Sequence, residues 1–148
     1  MGYRVIMWTG GDNSGAARFA DIVLLDSFDS ESAFEKFTTT VDVVTVEFEN
    51  IPTDLINKVA TKIPVMPSTN AVSICSNRER EKTFLRDHGI PTTAFEIVKD
   101  ASELALALEK IPGDVILKTV ESGYDGKGQL LVKDDADRPS AELIWQDF

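Results

Sequence analysis

Residues 116–129, ILKTVESGYDGKGQ, restrict the fold more than any other stretch of this chain. The stretch reads as a strand over Val115–Lys118, a loop over Glu121–Gly128 and a second strand over Gln129–Val132. Gly123, Gly126 and Gly128 permit positive φ and leave backbone amides uncovered, which suits phosphate oxygens. Lys118 ends the first strand, where its ammonium reaches a ligand lying over the strand end, and Lys127 adds a second cation inside the loop. A Walker loop is excluded, because it needs Ser or Thr after its lysine and Lys127 is followed by Gly128. A dinucleotide fingerprint also fails, since a strand rather than a helix follows the glycines. Strand, glycine loop, strand describes a flap that folds over phosphates. Taken alone, the same residues also fit a plain glycine-rich hairpin. The Tyr124-Asp125 pair is compatible with ligand contact, because hairpin geometry rarely calls for it, and both readings stay open on these residues alone.

The first half of the chain alternates strand and helix. Tyr3–Trp8 reads as a strand, Thr9–Gly15 as a turn and Ile22–Leu25 as a second strand. Ser30–Phe37 has helical spacing at Ala33, Phe34 and Phe37. Val41–Phe48 is β-branched nearly throughout and predicts a parallel strand buried on both faces. Pro52 then opens a helix continued by Leu55, Ile56 and Val59, and Lys62–Met66 is a further short strand. The order implies an α/β layer structure around a parallel sheet, and an incomplete one, since the first turn lacks a nucleotide-binding glycine pattern.

The character changes near Pro67. Helices are expected over Thr69–Ser76 and Arg78–His88, the latter stopped by Gly89 and Pro91. Thr93–Val98 reads as a strand, and Asp100 with Glu103 forms a capping box for a helix carrying Leu104, Leu106 and Leu108. A last helix lies in the segment ending at Phe148.

Three other features bear on function. Glu47 and Glu49 share a face at the carboxyl end of the Val41–Phe48 strand, where ligands of open α/β sheets bind; an ordinary solvated strand end has the same pattern. Arg78 and Lys82 lie one helical turn apart and suit either an anion site or an exposed, salt-bridged helix face. His88 reads as a surface residue compensating a helix dipole, and Cys75 as a small buried hydrophobe.

Charge and cysteine count narrow the partners. A net charge of −10 argues against polymeric nucleic acid, while a few local cations still hold small anions. No apolar run approaches the ~20 residues of a membrane span. The single cysteine forms no internal disulfide, so a cytoplasmic setting is expected.

Four segments carry a family resemblance: VVTVEFENIP at 43–52, NREREKTFLRDHGIPT at 77–92, VILK at 115–118 and GYDGKGQ at 123–129. In this order and spacing they resemble 5-(carboxyamino)imidazole ribonucleotide synthase, an ATP-grasp family of purine biosynthesis. The resemblance implies an incomplete N-terminal α/β domain over 1–67, Rossmann-like and of the pre-ATP-grasp kind, and the first part of an ATP-grasp domain over 68–148. It implies a ligase that uses ATP and Mg²⁺ to activate bicarbonate and carboxylates aminoimidazole ribonucleotide, usually as a homodimer.

Carried over by motif, the expected ATP-binding residues are Arg78, Lys118, Gly123, Tyr124, Asp125, Gly126, Lys127, Gly128 and Gln129. The expected catalytic residues are Asp125 and Lys127, and the expected substrate contacts are Tyr124, Asp125, Lys127, Glu47 and Glu49. No metal ligand is assigned; the Mg²⁺ ligands are expected in a C-terminal part of the family that this chain does not match.

The chain departs from the family in starting after its G-x-G-Q-L-G turn, in its length, and at Val46 and Val120-Glu121-Ser122. Glu121 opposes phosphate binding unless it points away from the loop. The chain is therefore expected to be an inactive fragment of a longer enzyme. The alternatives are a non-catalytic nucleotide-binding module and a relative of formate-dependent glycinamide ribonucleotide transformylase.

Overall fold

The computed structural model describes residues 2–11, 15–47, 51–121, 123, 127–135 and 139–148. The chain forms two compact units, Met1–Ser73 and Ile74–Phe148. Among the described residues, no helix is long and apolar enough to cross a membrane.

In the first unit, β1 (Ile6–Trp8) pairs in parallel with β2 (Ile22–Leu24), with Met7 opposite Val23. Both strands are shorter than the sequence predicts. The connection turns at Gly10, whose φ is 70° and where a Cβ would lie 2.5 Å from the Phe28 ring. A short 3₁₀ turn, Gly15–Phe19, follows.

Helix α1 (Glu31–Thr40) starts at Ser30, whose hydroxyl accepts a bond from the Ala33 amide. It buries the expected face of Ala33, Phe34 and Phe37. Helix α2 (Thr53–Ala60) follows Pro52 and buries Ile56 and Val59. Phe34, Ile56, Val59, Val65 and Val72 form the core of this unit, with Trp8, Val44 and Val46 packed against it.

The Val41–Phe48 expectation is corrected. Among the described residues of this segment only Val44 makes a ladder contact, a single parallel bridge to Val65. The Val44 amide donates to the Pro64 carbonyl at 2.9 Å, and the Met66 amide donates to Val44 at 2.8 Å. Val44 and Val46 face the core, but Val43 is 59% exposed, so the segment is buried on one face only. The expected Lys62–Met66 strand shrinks to the same bridge. Its partner segment is flanked by Pro64 and Pro67, which have no N–H to extend a ladder. A largely apolar cavity of about 300 Å³ is lined by residues of both the Val5–Thr9 and the Val44–Glu47 segments.

Helix α3 (Thr69–Cys75) buries only Val72. Cys75, its last residue, is exposed, which corrects the expectation of a buried hydrophobe.

In the second unit, α4 (Arg78–Asp87) is capped by Asn77 and closed by His88, with Gly89 at φ 65°. The His88 ring stacks on Phe84, and its Nδ1 lies 2.8 Å from the Phe84 carbonyl near the negative end of the helix, in line with a dipole-compensating role. Helix α5 (Ala101–Lys110) begins at Asp100, whose Oδ1 accepts from the Glu103 amide at 2.9 Å. Glu103 reaches back one residue further than a simple capping box, accepting from the Lys99 amide.

Strands β3 (Val115–Lys118) and β4 (Gln129–Val132) pair antiparallel, with Ile116 opposite Leu131 and Lys118 opposite Gln129. Helix α6 (Ala141–Asp147) starts at Ser140. Leu104, Leu117, Val132, Ala141 and Ile144 form the core of this unit. Leu106 is 58% exposed, because two residues turn a helix through ~200° and carry it away from Leu104.

The expected strand at Thr93–Val98 is absent. Its residues have β propensity, but propensity acts through cross-strand partners, and no described backbone pairs with them. Thr92 and Thr93 instead accept bonds from Lys82, and Phe95 lies beneath the Lys82 and Arg86 cations.

Candidate functional site at the mouth of the β3–β4 hairpin

Alternation along β3 points Leu117 into the core and Ile116 and Lys118 to the open face. Leu131, opposite Ile116, lies on the same face, and Ile116 and Leu131 are 54% and 55% exposed. The hairpin therefore offers a flat apolar pair, with an ammonium at the end leading into the glycine loop. The pair was not singled out in the sequence. The apolar strands were legible there, but which face would be covered was not.

Beyond Lys118 the ladder runs one step further, the Thr119 amide donating to Gly128 O at 2.9 Å. Chain direction then brings in α4. The Arg78 amide donates to Val120 O at 2.9 Å, tying the first residue of the helix to the end of β3. Its side chain lies beside Gly123: a Cβ placed there would stand 4.0 Å from Arg78 Nε and 3.4 Å from Lys127 O. Arg78, Lys118, Gly123, Lys127, Gly128 and Gln129 are thus gathered around one hairpin mouth.

Asn77 connects the two sides. It is the buried polar residue among those described, at 9% exposure. Its Oδ1 accepts from the Arg80 amide at 3.0 Å, and its Nδ2 donates to Glu121 Oε1 at 2.8 Å. The Glu121 carboxylate therefore sits toward the positive end of α4, a favourable place for an anion. Neither the Asn77 cap nor its contact with Glu121, 44 residues away, was read from the sequence.

Lys82 does not join this cluster. Its Nζ bonds the Thr92 hydroxyl and, at 3.2 Å, the Thr93 hydroxyl. The two-cation anion site with Arg78 is therefore not formed. Glu47 is exposed and lines the cavity of the first unit. Glu49, Tyr124, Asp125 and Gly126 lie outside the described residues.

Among the described residues, no three His, Cys, Asp or Glu side chains are placed to hold a metal ion. The one carboxylate in the described part of the loop, Glu121, is bonded to Asn77, so these residues do not fit a Mg²⁺ site.

Comparison with known proteins agrees with the two-part architecture. Residues 1–76 match the ribonucleotide synthetase preATP-grasp domain, and residues 83–147 match the ATP-grasp domain. The chain belongs to the ribonucleotide synthetase preATP-grasp family. Its fold is mixed α/β with parallel strand pairing, a preATP-grasp domain followed by the start of an ATP-grasp domain.

The preATP-grasp chain is similar to N5-carboxyaminoimidazole ribonucleotide synthase of Bacillus subtilis, at 30% identity over 99% of this chain and 38% of that protein. It is similar in structure to the Staphylococcus aureus synthetase complexed with ADP, with a TM-score of 0.84, 29% identity, and coverage of 93% of this chain and 37% of that one. The carboxyaminoimidazole ribonucleotide synthase of Aspergillus clavatus complexed with ATP gives a TM-score of 0.75 at 31% identity, covering 96% of this chain and 37% of that one. The resemblance carried by the four sequence segments is borne out. The chain spans less than two-fifths of the length of these relatives.

Proposed function

We propose that this chain is part of an N5-carboxyaminoimidazole ribonucleotide synthase, a C–N bond-forming ATP-grasp ligase. In the whole protein, bicarbonate attacks the γ-phosphorus of ATP, giving carboxyphosphate and ADP. The 5-amino group of aminoimidazole ribonucleotide then takes the carboxyl group and releases phosphate. The observation that carries this reading is the convergence of Arg78, Lys118 and Gly123 at one hairpin mouth, beside an apolar strand face.

Phosphoryl transfer to bicarbonate needs cations aimed at developing oxyanion charge and a cover that keeps water from carboxyphosphate. Arg78 and Lys118 supply the cations. Gly123–Gln129, with Tyr124, Asp125, Gly126, Lys127 and Gly128 between them, supplies the cover. Ile116 and Leu131 give a flat apolar seat for the base. Asp125 and Lys127 act at the transferred carboxyl group; Tyr124, Glu47 and Glu49 contact the ribonucleotide. The division into 1–67 and 68–148 belongs to this reading. So do Mg²⁺ as the ATP counter-ion, a homodimer of the whole protein, and a cytoplasmic setting.

Calorimetric titration of the chain with ATP tests the binding half. Saturable binding that weakens in Arg78→Ala and Lys118→Ala is expected; equal affinity in all three proteins would reject it. ADP release by the whole protein tests the chemistry. Dependence on aminoimidazole ribonucleotide and bicarbonate is expected, and dependence on formate would move the reading to the formyl-transferring relatives.

A further inference from the structure

We propose that Asn77 is a positioning residue for the hairpin mouth: its side chain holds Glu121 away from the anion side of the loop and thereby sets Arg78 against Gly123. The inference rests on the nucleotide-binding reading for its consequence, but its geometry stands separately.

The Asn77 amide is split between two tasks. Its oxygen caps α4 through the Arg80 amide at 3.0 Å, and its nitrogen donates to Glu121 Oε1 at 2.8 Å. Between these bonds runs the Arg78 amide to Val120 O, at 2.9 Å. Two contacts one residue apart on each side, 77 to 121 and 78 to 120, thus join the helix start to the strand end. The side-chain contact is 9% exposed at its Asn77 end, so water competes poorly for it.

Glu121 is the residue that would spoil an anion site. A carboxylate turned into the loop would face the same phosphate oxygens that Arg78 and Lys118 attract. With its Oε1 committed to Asn77, it lies instead at the start of α4, where unpaired helix amides favour negative charge.

A swap of hydrogen-bond polarity tests this without removing the cap. Asn77→Asp keeps an oxygen for the Arg80 amide, since Asp and Asn cap equally well, but loses the donor and sets two carboxylates together. ATP affinity is expected to fall about tenfold, the scale of one charged hydrogen bond, with a lowered melting temperature that still leaves the chain folded at 25 °C. Glu121→Gln alone is expected to be nearly silent, since its carbonyl still accepts from Asn77. The double variant Asn77→Asp/Glu121→Gln restores a donor on the opposite side and is expected to recover affinity to within about twofold.

Amide hydrogen exchange at Arg78 is the second readout. It is expected to speed up in Asn77→Asp and return toward normal in the double variant. Unchanged affinity and unchanged Arg78 exchange in Asn77→Asp would overturn the proposal, and so would a double variant no better than the single. If the unsubstituted chain binds no ATP, the binding half of the function reading falls for this chain, and Arg78 exchange alone decides the positioning role.

Discussion

Thr119 and Gly128 meet so closely at the open end of the β3–β4 hairpin that position 128 has no room for a side chain. A Cβ there would stand 2.5 Å from Thr119 Oγ1 and 3.0 Å from its Cγ2, with φ at 63°. The Thr119 amide donates to Gly128 O across the same gap. Gly128→Ala is therefore expected to destabilise the chain by about 1–2 kcal/mol from the left-handed backbone alone, with the clash in addition. Chemical denaturation measures the sum. Adding Thr119→Ala removes both clashing atoms and is expected to recover only the steric share; full recovery would show that backbone conformation does not matter at this glycine.

Arg78 and Lys118 are expected to differ in how they tolerate exchange of one cation for the other. Arg78→Lys keeps the charge but loses the planar guanidinium, so it is expected to retain only part of the ATP affinity. Lys118→Arg keeps a charge at the end of an exposed strand face and is expected to lose less. Titration with ATP at two salt concentrations reads both; equal losses would place the two side chains in equivalent roles.

Leu104 and Leu106 separate core from surface on one helix. Leu104 is 3% exposed and Leu106 58%. Leu104→Ala is expected to cost about 2–5 kcal/mol, the range for buried leucines, and Leu106→Ala to stay within about 0.5 kcal/mol. Urea unfolding of both variants checks the contrast, and similar midpoints would contradict the packing of α5.

Asp100 ties stability to acid pH. The Ser102 hydroxyl, and next the Glu103 amide, hold its carboxyl below the ordinary 3.8. A carboxylate with a depressed folded pKa stabilises the chain above the unfolded pKa, and that stabilisation is lost as pH falls through the folded value. The loss is thus expected below about pH 4. Asp100→Asn still caps α5 but does not titrate, so its acid unfolding curve is expected to be flatter there. Ser102→Ala, which removes the largest cause, is expected to raise the Asp100 pKa in an NMR titration.

Cys75 provides a simple check on α3. Being exposed at the end of the helix, it is expected to react with a thiol reagent in the folded chain nearly as fast as in urea. Strong protection in the folded chain would return it to the core.

Local signals were legible wherever a short stretch of chain specifies its own structure. Asp100 caps α5 as its side chain dictates, and Gly89 ends α4. Helical spacing found Phe34 and Phe37, and the short apolar runs on either side of the glycine loop marked β3 and β4. Strand readings failed where pairing decides. The β-branched run at 41–48 and the stretch at 93–98 have the composition of strands, but a strand exists only through a neighbour's amides and carbonyls.

The glycine loop follows the same division. The sequence by itself determined the two strands on either side of the glycine stretch and the two lysines that go with them, because these strands are neighbours in the chain and supply each other's pairing partner. Only the tertiary structure decided that Arg78 stands beside Gly123, that Lys82 turns to Thr92 and Thr93, and that Asn77 draws Glu121 toward the helix. Those contacts join residues 10 to 45 positions apart, and side chains so separated meet only after the chain between them has packed.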